Sequence, residues 1–474
     1  MSRTSKVLSA MLLAVVLSAL AVPVSLNLAP AFMTAPTEPS APATLLAQPL
    51  QPPSTLSTLS GIGTLSVEAP MPDPAVLSKR LEATLVAKGG GDFTALVQDG
   101  ASGQVLYSRN ASAPRIPASN LKLLTVAAAL KNLGADARFS TRVLTGATAS
   151  ALVLQAGGDV LLGKDASADG KVMGHAGVAT LAAGTAAALK AAKVTGPVSI
   201  AVDDTLFTGP AVNPNWLPAD VAAGEIAPVF PMALYGARLN PAELSGPRPQ
   251  DAAMSVAAAF VGKLKADGVA VTAAVRRTKA PAGARTLAEV SSATVGEQVQ
   301  YMLQASDNYL AEVMGRMSAV AQNKAGSSIG ASAAVSETMS SLGLVTDGLV
   351  LGDSCGLAVN DRVSARQLTQ SVKIMLTDPS RDVRQGLLGL PIAGLSGTLG
   401  DRYLDSSTLG GAGLVRAKTG TLNAVLSLSG YVVDTDGRLL VFSFLGNSLQ
   451  AGSSRSKPAI DKAAAILASC GCSG

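Results

Sequence analysis

Ser119 and Lys122 stand three residues apart in Pro117-Ala118-Ser119-Asn120-Leu121-Lys122-Leu123-Leu124-Thr125, at the head of an alanine-rich apolar run. The run predicts a helix, and residues at i and i+3 share a helix face, so the hydroxyl and the amine point the same way. Ser119 falls in the first turn, near the positive end of the helix dipole. A serine needs a neighbour to take its proton before it can act as a nucleophile, and an amine kept neutral by burial or nearby positive charge can do so. Taken alone, the pattern also reads as a helix cap followed by a solvated lysine.

Two later stretches add to it. Ser306-Asp307-Asn308 follows an apolar helical pattern, and Lys418-Thr419-Gly420 ends a strand-like run. Singly, these read as a polar inter-helix turn and a strand end. Together, S-x-x-K, S-D-N and K-T-G in this order are the signature set of serine penicillin-recognising enzymes.

The single histidine, His175, narrows the chemistry further. A Ser-His-Asp triad would have to use it, and a structural zinc site would lack ligands, so lysine becomes the natural base and no metal or cofactor is expected. His175 sits in the loop-like Gly174-His175-Ala176-Gly177, which suits a structural or solvent-exposed role. Cys355 stands alone and Cys470 and Cys472 flank Gly471 at the C-terminus, so no disulfide framework is implied.

The elements that must position these residues fit a chain of 474 residues with 48% hydrophobic content, enough for two or three domains and a sizeable core. Aromatics are only 3%, so packing must rest on Ala, Val and Leu. The net charge is +5, but lysines and arginines are dispersed, with no basic run interleaved with aromatics of the kind nucleic acid needs. The mild basicity suits an anionic cell-envelope setting.

Arg3 and Lys6 precede an uncharged stretch whose apolar heart, Val7 to Leu26, contains the small-x-small pattern Ala19-Leu20-Ala21. Residues 1–33 therefore read as a signal peptide or, uncleaved, as an N-terminal membrane anchor. Residues 34–74 are rich in Pro, Ser and Thr and read as a linker. A helix over 75–88 and a hairpin over 93–108 lead to Ser119. Between Ser119 and Ser306 lie 306 − 119 = 187 positions, more than a catalytic domain needs, so an insertion is placed at 137–284. It holds strand patterns, helices over 179–192 and 252–265, the turns Gly157-Gly158-Asp159 and Asp203-Asp204, and Trp216 as a packing anchor. Helices over 295–304, 309–317, 328–342 and 366–376, strands over 414–417, 426–433 and 439–445, and a final helix over 457–469 complete the catalytic part, residues 75–136 and 285–474. The predicted class is α+β: an antiparallel sheet covered by helices, with a large β-rich insertion.

On these motifs, and on Gly157-Gly158-Asp159, Val202-Asp203-Asp204, Ala227-Pro228-Val229, Asp353-Ser354-Cys355-Gly356-Leu357 and Pro391-Ile392-Ala393-Gly394 leading to Gly397-Thr398-Leu399, the chain resembles the D-alanyl-D-alanine carboxypeptidase/endopeptidase family of low-molecular-mass, class C penicillin-binding proteins. The resemblance covers nearly everything after the linker. It implies a penicillin-binding-protein or serine β-lactamase-like fold, peptidoglycan stem peptides as substrates and β-lactams as covalent inhibitors. It further implies that Ser119 is acylated, Lys122 is its base and Ser306 relays the proton to the leaving amine. Asn308 would hold the substrate amide, and Lys418 and Thr419, with Gly420, the terminal carboxylate. The oxyanion would lie between the N–H groups of Ser119 and Thr421.

Where many relatives carry Asp-Gly-Ser-Gly-Leu and Gly-Val-Asp-Gly-Thr-Leu, this chain has Asp353-Ser354-Cys355-Gly356-Leu357 and Gly394-Leu395-Ser396-Gly397-Thr398-Leu399. These changes bear on substrate preference more than on catalysis. Two other readings compete. A serine β-lactamase would need rapid deacylation, and no Glu-x-x-x-Asn motif lies between Ser119 and Lys418. A catalytically silent wall-binding module would not be labelled by fluorescent penicillin.

Overall fold

Alternate residues of one strand serve two different cores. In β1, Asp92–Asp99, the side chains of Phe93, Ala95 and Val97 enter one apolar cluster while Leu96 enters another. The alternation follows from the period of a strand, whose successive side chains leave opposite faces, and it marks a sheet covered on both sides. A computed structural model describes residues 65–272, 274–450 and 452–469. The segment read as a signal peptide or anchor, the linker up to residue 64, and Cys470 and Cys472 lie outside them. Among the described residues no helix is long and apolar enough to cross a membrane.

In chain order, α1 (Pro74–Thr84) precedes β1 and β2 (Val105–Arg109), and a 3-10 turn, Ala118–Leu121, runs directly into α2 (Lys122–Leu133). The inserted segment contributes β3 (Ser140–Thr145), β4 (Ala151–Gln155), α3 (Val178–Ala191), β5 (Ser199–Asp203), α4 (Ala252–Ala266), β6 (Arg276–Arg277) and β7 (Thr286–Ser291). There follow α5 (Val295–Ala305), α6 (Asn308–Ala321), α7 (Ser328–Ser341), α8 (Ala365–Thr377) and α9 (Arg381–Leu388). The chain ends on β8 (Arg416–Leu422), β9 (Val425–Val433), β10 (Leu439–Asn447) and α10 (Ser453–Ala468).

The first sheet is antiparallel in the order β2-β1-β10-β9-β8, so its terminal and early strands are neighbours and β8 is an edge. Helices α1 and α10 cover one face through Leu77, Leu81, Ile460 and Ala464, against Phe442 and Phe444. The helical layer covers the other, where α8 packs on β1, β9 and β10 and shares its apolar cluster with Val441 and Leu445. Helix α2 is buried from Lys122 to Leu130. Its Val126-Ala127-Ala128-Ala129 run lets α6, α7 and α9 approach it closely, which suits a core poor in aromatics.

The second sheet has the order β6-β5-β4-β3-β7, with β4, β5 and β6 parallel, and α3 and α4 pack on it through Leu181, Val256 and Phe260. Its edge strand β7 pairs Val290 with Thr141 of β3, so this sheet runs on to Ser291 rather than stopping at 284. Long-range pairing sets that boundary, and no local pattern encodes it. Helix α9 has no counterpart among the expected elements; it is short, buries Val383 and Gly386 and packs the half-buried Leu387 on the same core.

The last residues of the stretch read as linker are also fixed. Ser66 N–H donates to Gly437 O. Arg438, buried, donates to Asp99 Oδ1 at 2.5 Å and to the carbonyls of Val67 and Ala69. Removing one partner of a buried ion pair leaves an uncompensated charge, typically at ~3–5 kcal/mol. Arg438→Ala is therefore expected to lower stability by about 3 kcal/mol or more and to expose residues 65–69 to protease, both measured by chemical denaturation and limited proteolysis.

Candidate active site

Ser119 lies on the 3-10 turn rather than in the helix, and Lys122 is the first residue of α2. Ala118, just before it, holds φ +48, a left-handed conformation that costs a non-glycine residue energy and needs support from its surroundings. Two glycines press on this turn. A Cβ on Gly420 of β8 would fall 2.2 Å from Ser427 Oγ and 3.0 Å from Ser119 N, and one on Gly356 would fall 2.0 Å from Ala118 O. No other residue type lets both backbones approach so closely. Asn120, buried, ties the turn to the sheet by donating to Lys418 O and Ser427 Oγ, and Ser427 in turn donates to Pro117 O.

Lys122 is buried to 0% exposure, and its Nζ lies 2.9 Å from Ser119 Oγ, 2.7 Å from Asn308 Oδ1 and 2.7 Å from the Cys355 carbonyl. An amide oxygen and a carbonyl can only accept. A neutral amine has two N–H groups and one lone pair, so it satisfies both acceptors and turns the lone pair to the Ser119 hydroxyl. Burial pushes the Lys122 amine below the ordinary lysine value, against the opposing pull of Cys355, Asp353, Asp307 and Glu312. The site therefore has the composition of an activated serine.

Ser306-Asp307-Asn308 bridges two helices. Ser306 caps α5 in a left-handed conformation (φ 54, ψ 36), Asp307 caps α6 by accepting Leu310 N–H, and Asn308 opens α6 rather than lying in the turn. Lys418-Thr419-Gly420 lies in the middle of β8, not at its end, because the strand continues through Leu422 to the tight turn before Val425. Lys418 is buried and donates to Ser306 Oγ at 2.9 Å. Burial lowers its amine well below the ordinary value, and Lys122 when protonated, and Arg402, act in the same direction. Thr419 Oγ1 lies 2.7 Å from Thr398 Oγ1. Leu422 and Val425 close a two-residue hairpin, so strand alternation sends the N–H of Thr421 away from β9. A cleft of about 760 Å³ is lined by Ser119, Ser306, Asn308, Thr419, Gly420 and Thr421, while Lys122 and Lys418 stand behind its wall.

The inserted segment lines this cleft with Glu225, Arg238, Leu244, Ser245 and Arg248, and it braces the cleft's surroundings through long-range ties. Glu225 O accepts from Asn308 Nδ2 at 3.0 Å, fixing the amide. Arg238 forms a buried ion pair with Asp307 at 2.5 Å. Asn213 and Asn215 donate to Gly352 O, and Trp216 Nε1 donates to Asp353 Oδ2. Trp216 is thus the buried anchor expected, but it anchors a loop of the catalytic part. His175 bonds to Arg138 and Lys171 O, and Asp203 and Asp204 bind Thr205, Ala280 and Arg277, so all three have structural partners. Glu312, Asp353 and Cys355 bring ligand-type atoms within 4.8 Å of one another. The Asp353 oxygens are already occupied by N–H donors, which makes this a buried hydrogen-bond network rather than a metal cage.

Comparison with known proteins bears on the family and the fold. The chain is 36% identical over 427 residues to a carboxypeptidase of Mycobacterium tuberculosis, covering 90% of each. It is also 36% identical over 427 residues to carboxypeptidase DacB of Mycolicibacterium smegmatis, again covering 90% of each. The fold is similar to that of penicillin binding protein 4 of Haemophilus influenzae, with a TM-score of 0.68 and 18% identity over 84% of this chain and 98% of that one. Residues 77–241 and 236–469 match the D-Ala-D-Ala carboxypeptidase 3 (S13) family, and with the α+β fold and the mycobacterial relatives this establishes that the chain belongs to that family.

Proposed function

We propose that this D-Ala-D-Ala carboxypeptidase works through an acyl-enzyme on Ser119, acts on peptidoglycan stem peptides and is acylated by β-lactams. The observation that carries the proposal is the buried Lys122 amine, 2.9 Å from Ser119 Oγ with its two N–H groups already committed. Ser119 Oγ attacks the carbonyl carbon of the penultimate D-alanine as its proton passes to the Lys122 lone pair, and the carbonyl electron pair moves onto oxygen. That oxyanion faces the N–H groups of Ser119 and Thr421. Collapse restores the carbonyl and breaks the C–N bond, and the proton reaches the leaving nitrogen through Ser306. Water then hydrolyses the ester by the same relay, returning the proton to Ser119.

Asn308 holds the substrate amide in this reading, and Lys418, Thr419 and Gly420 form the seat of the terminal carboxylate. A β-lactam presents the same pair of groups, a strained carbonyl and a carboxylate. Peptidoglycan lies outside the cytoplasmic membrane, so we place the enzyme in the cell envelope, with residues 1–33 as its signal peptide or membrane anchor. In this reading the catalytic part is formed by residues 75–136 and 292–474, with the segment 137–291, whose sheet ends on β7, as the insertion beside the cleft.

Ser119→Ala is expected to abolish fluorescent-penicillin labelling and to cut peptide hydrolysis by several orders of magnitude without unfolding the chain. Retained hydrolysis would overturn the assignment. Lys122→Ala should nearly abolish acylation while His175→Ala is nearly silent. Lys122 must be neutral to act, so the acylation rate rises with pH through its lowered value and levels off below the ordinary lysine range.

Thr419→Val keeps the strand's preferred shape but removes a hydroxyl donor, and an unpaired carboxylate oxygen typically costs ~1–3 kcal/mol. A loss of roughly tenfold to a hundredfold in acylation efficiency is expected for carboxylate-bearing substrates. An amidated peptide should be poor already and lose much less. Equal losses for acid and amide would remove Lys418-Thr419-Gly420 as the carboxylate seat.

A further inference from the structure

Cys355 O is one of the two groups that aim the Lys122 lone pair, yet it belongs to a loop without regular secondary structure. A single carboxylate takes the place of that missing structure. Asp353 Oδ1 accepts from the N–H groups of Cys355 (3.0 Å) and Gly356 (2.6 Å). Its Oδ2 accepts from the N–H groups of Leu357 (3.0 Å) and Ala358 (2.9 Å), from Trp216 Nε1 (2.9 Å) and from Cys355 Sγ (3.2 Å). Asp353 itself is 1% exposed, so water does not compete for these positions.

The Gly356 contact decides the direction of the carbonyl. The peptide unit is planar and trans, so the N–H of Gly356 and the C=O of Cys355 point in opposite directions. With the N–H drawn to Asp353 at 2.6 Å, the carbonyl is turned to the other side, where it accepts from Lys122 Nζ at 2.7 Å. Gly356 adopts φ +89, a conformation glycine supplies without steric cost. Further supports converge on the same loop: Thr125 Oγ1 donates to Ser354 O, and Ser354 N–H donates to Glu312 Oε1, both at 2.7 Å.

We propose that Asp353 is a positioning residue for acylation: it sets the Cys355-Gly356 peptide plane and thereby turns the Lys122 amine to Ser119. The role acts through Lys122 and does not require Asp353 to touch the substrate. It rests on the assignment of Lys122 as base and adds the residue that orients it. Trp216, from the inserted segment, is part of the same device because it holds Asp353 Oδ2.

The test is Asp353→Asn, which keeps the shape but turns an N–H₂ group toward N–H donors. Acylation by fluorescent penicillin at saturation is expected to fall roughly tenfold to a hundredfold, the scale of a misaligned reacting group, with the non-covalent affinity unchanged. The pH profile separates positioning from loss of structure. The titratable or charged groups facing Lys122 are Asp307, Glu312, Asp353, Cys355 and Lys418. Removing the Asp353 charge withdraws an influence that favours the protonated amine, so the acid limb moves to lower pH. A loop that simply collapsed would admit water and move the limb upward, toward the ordinary lysine value. A folded Asp353→Asn enzyme with wild-type acylation, a loss confined to affinity, or an upward-moving limb would each overturn the proposal. Should that variant not fold, Trp216→Phe decides: a fall of about threefold or more in acylation rate at unchanged affinity is expected, and an unchanged rate and pH profile would overturn it. Acylation of Ser119→Ala, by contrast, would overturn the nucleophile assignment itself, whatever Asp353 does.

Discussion

A lysine amine shut away from water sets the terms for the rest of this structure. Lys122 Nζ has three neighbours within hydrogen-bond distance, Ser119 Oγ, Asn308 Oδ1 and Cys355 O, and they come from three separate stretches of chain. Burial makes the neutral amine accessible, and it also makes every unmet hydrogen bond expensive. The fold must therefore bring a 3-10 turn, a helix start and an irregular loop to one point and hold each at a fixed orientation. Much of what surrounds the cleft serves that end.

The means are close backbone approach and internal polar ties. Gly420 and Gly356 let β8 and the loop press on the Ser119 turn from their own sides, at distances a side chain would forbid. Asn120 and Ser427 stitch the turn to the sheet. Left-handed Ala118 and Ser306 stand beside the reacting groups, where surrounding contacts over-determine the backbone and can hold conformations it would otherwise leave.

The inserted segment belongs to the same framework. Within one compact unit the insertion fixes Asn308 through Glu225 O, Asp307 through Arg238, the Gly352 carbonyl through Asn213 and Asn215, and the Asp353 carboxylate through Trp216. The first two ties hold residues that line the cleft, and the others hold the loop that carries Cys355 O. The insertion thereby contributes to the geometry of residues that lie far from it in the sequence. Its own sheet and the helices α3 and α4 supply a separate apolar core, which gives these contacts a stable base.

The sequence by itself determined the α+β class, most elements and the three motifs, because local periodicity and residue chemistry are properties of neighbours along the chain. S-x-x-K places Ser119 and Lys122 together through backbone geometry alone, so that pairing is legible in the order of residues. It did not determine which backbone carried them: Ser119 lies on a 3-10 turn, Asn308 at a helix start and Lys418 in mid-strand. Nor could it indicate Cys355 O, Glu225 O or the Asp353 carboxylate with its N–H donors, because a carbonyl or backbone N–H carries no residue signature. Those contacts join positions 122 to 355, 225 to 308 and 216 to 353. Only tertiary structure decided them, since burial and long-range pairing, rather than propensity, select which backbone groups face a buried amine.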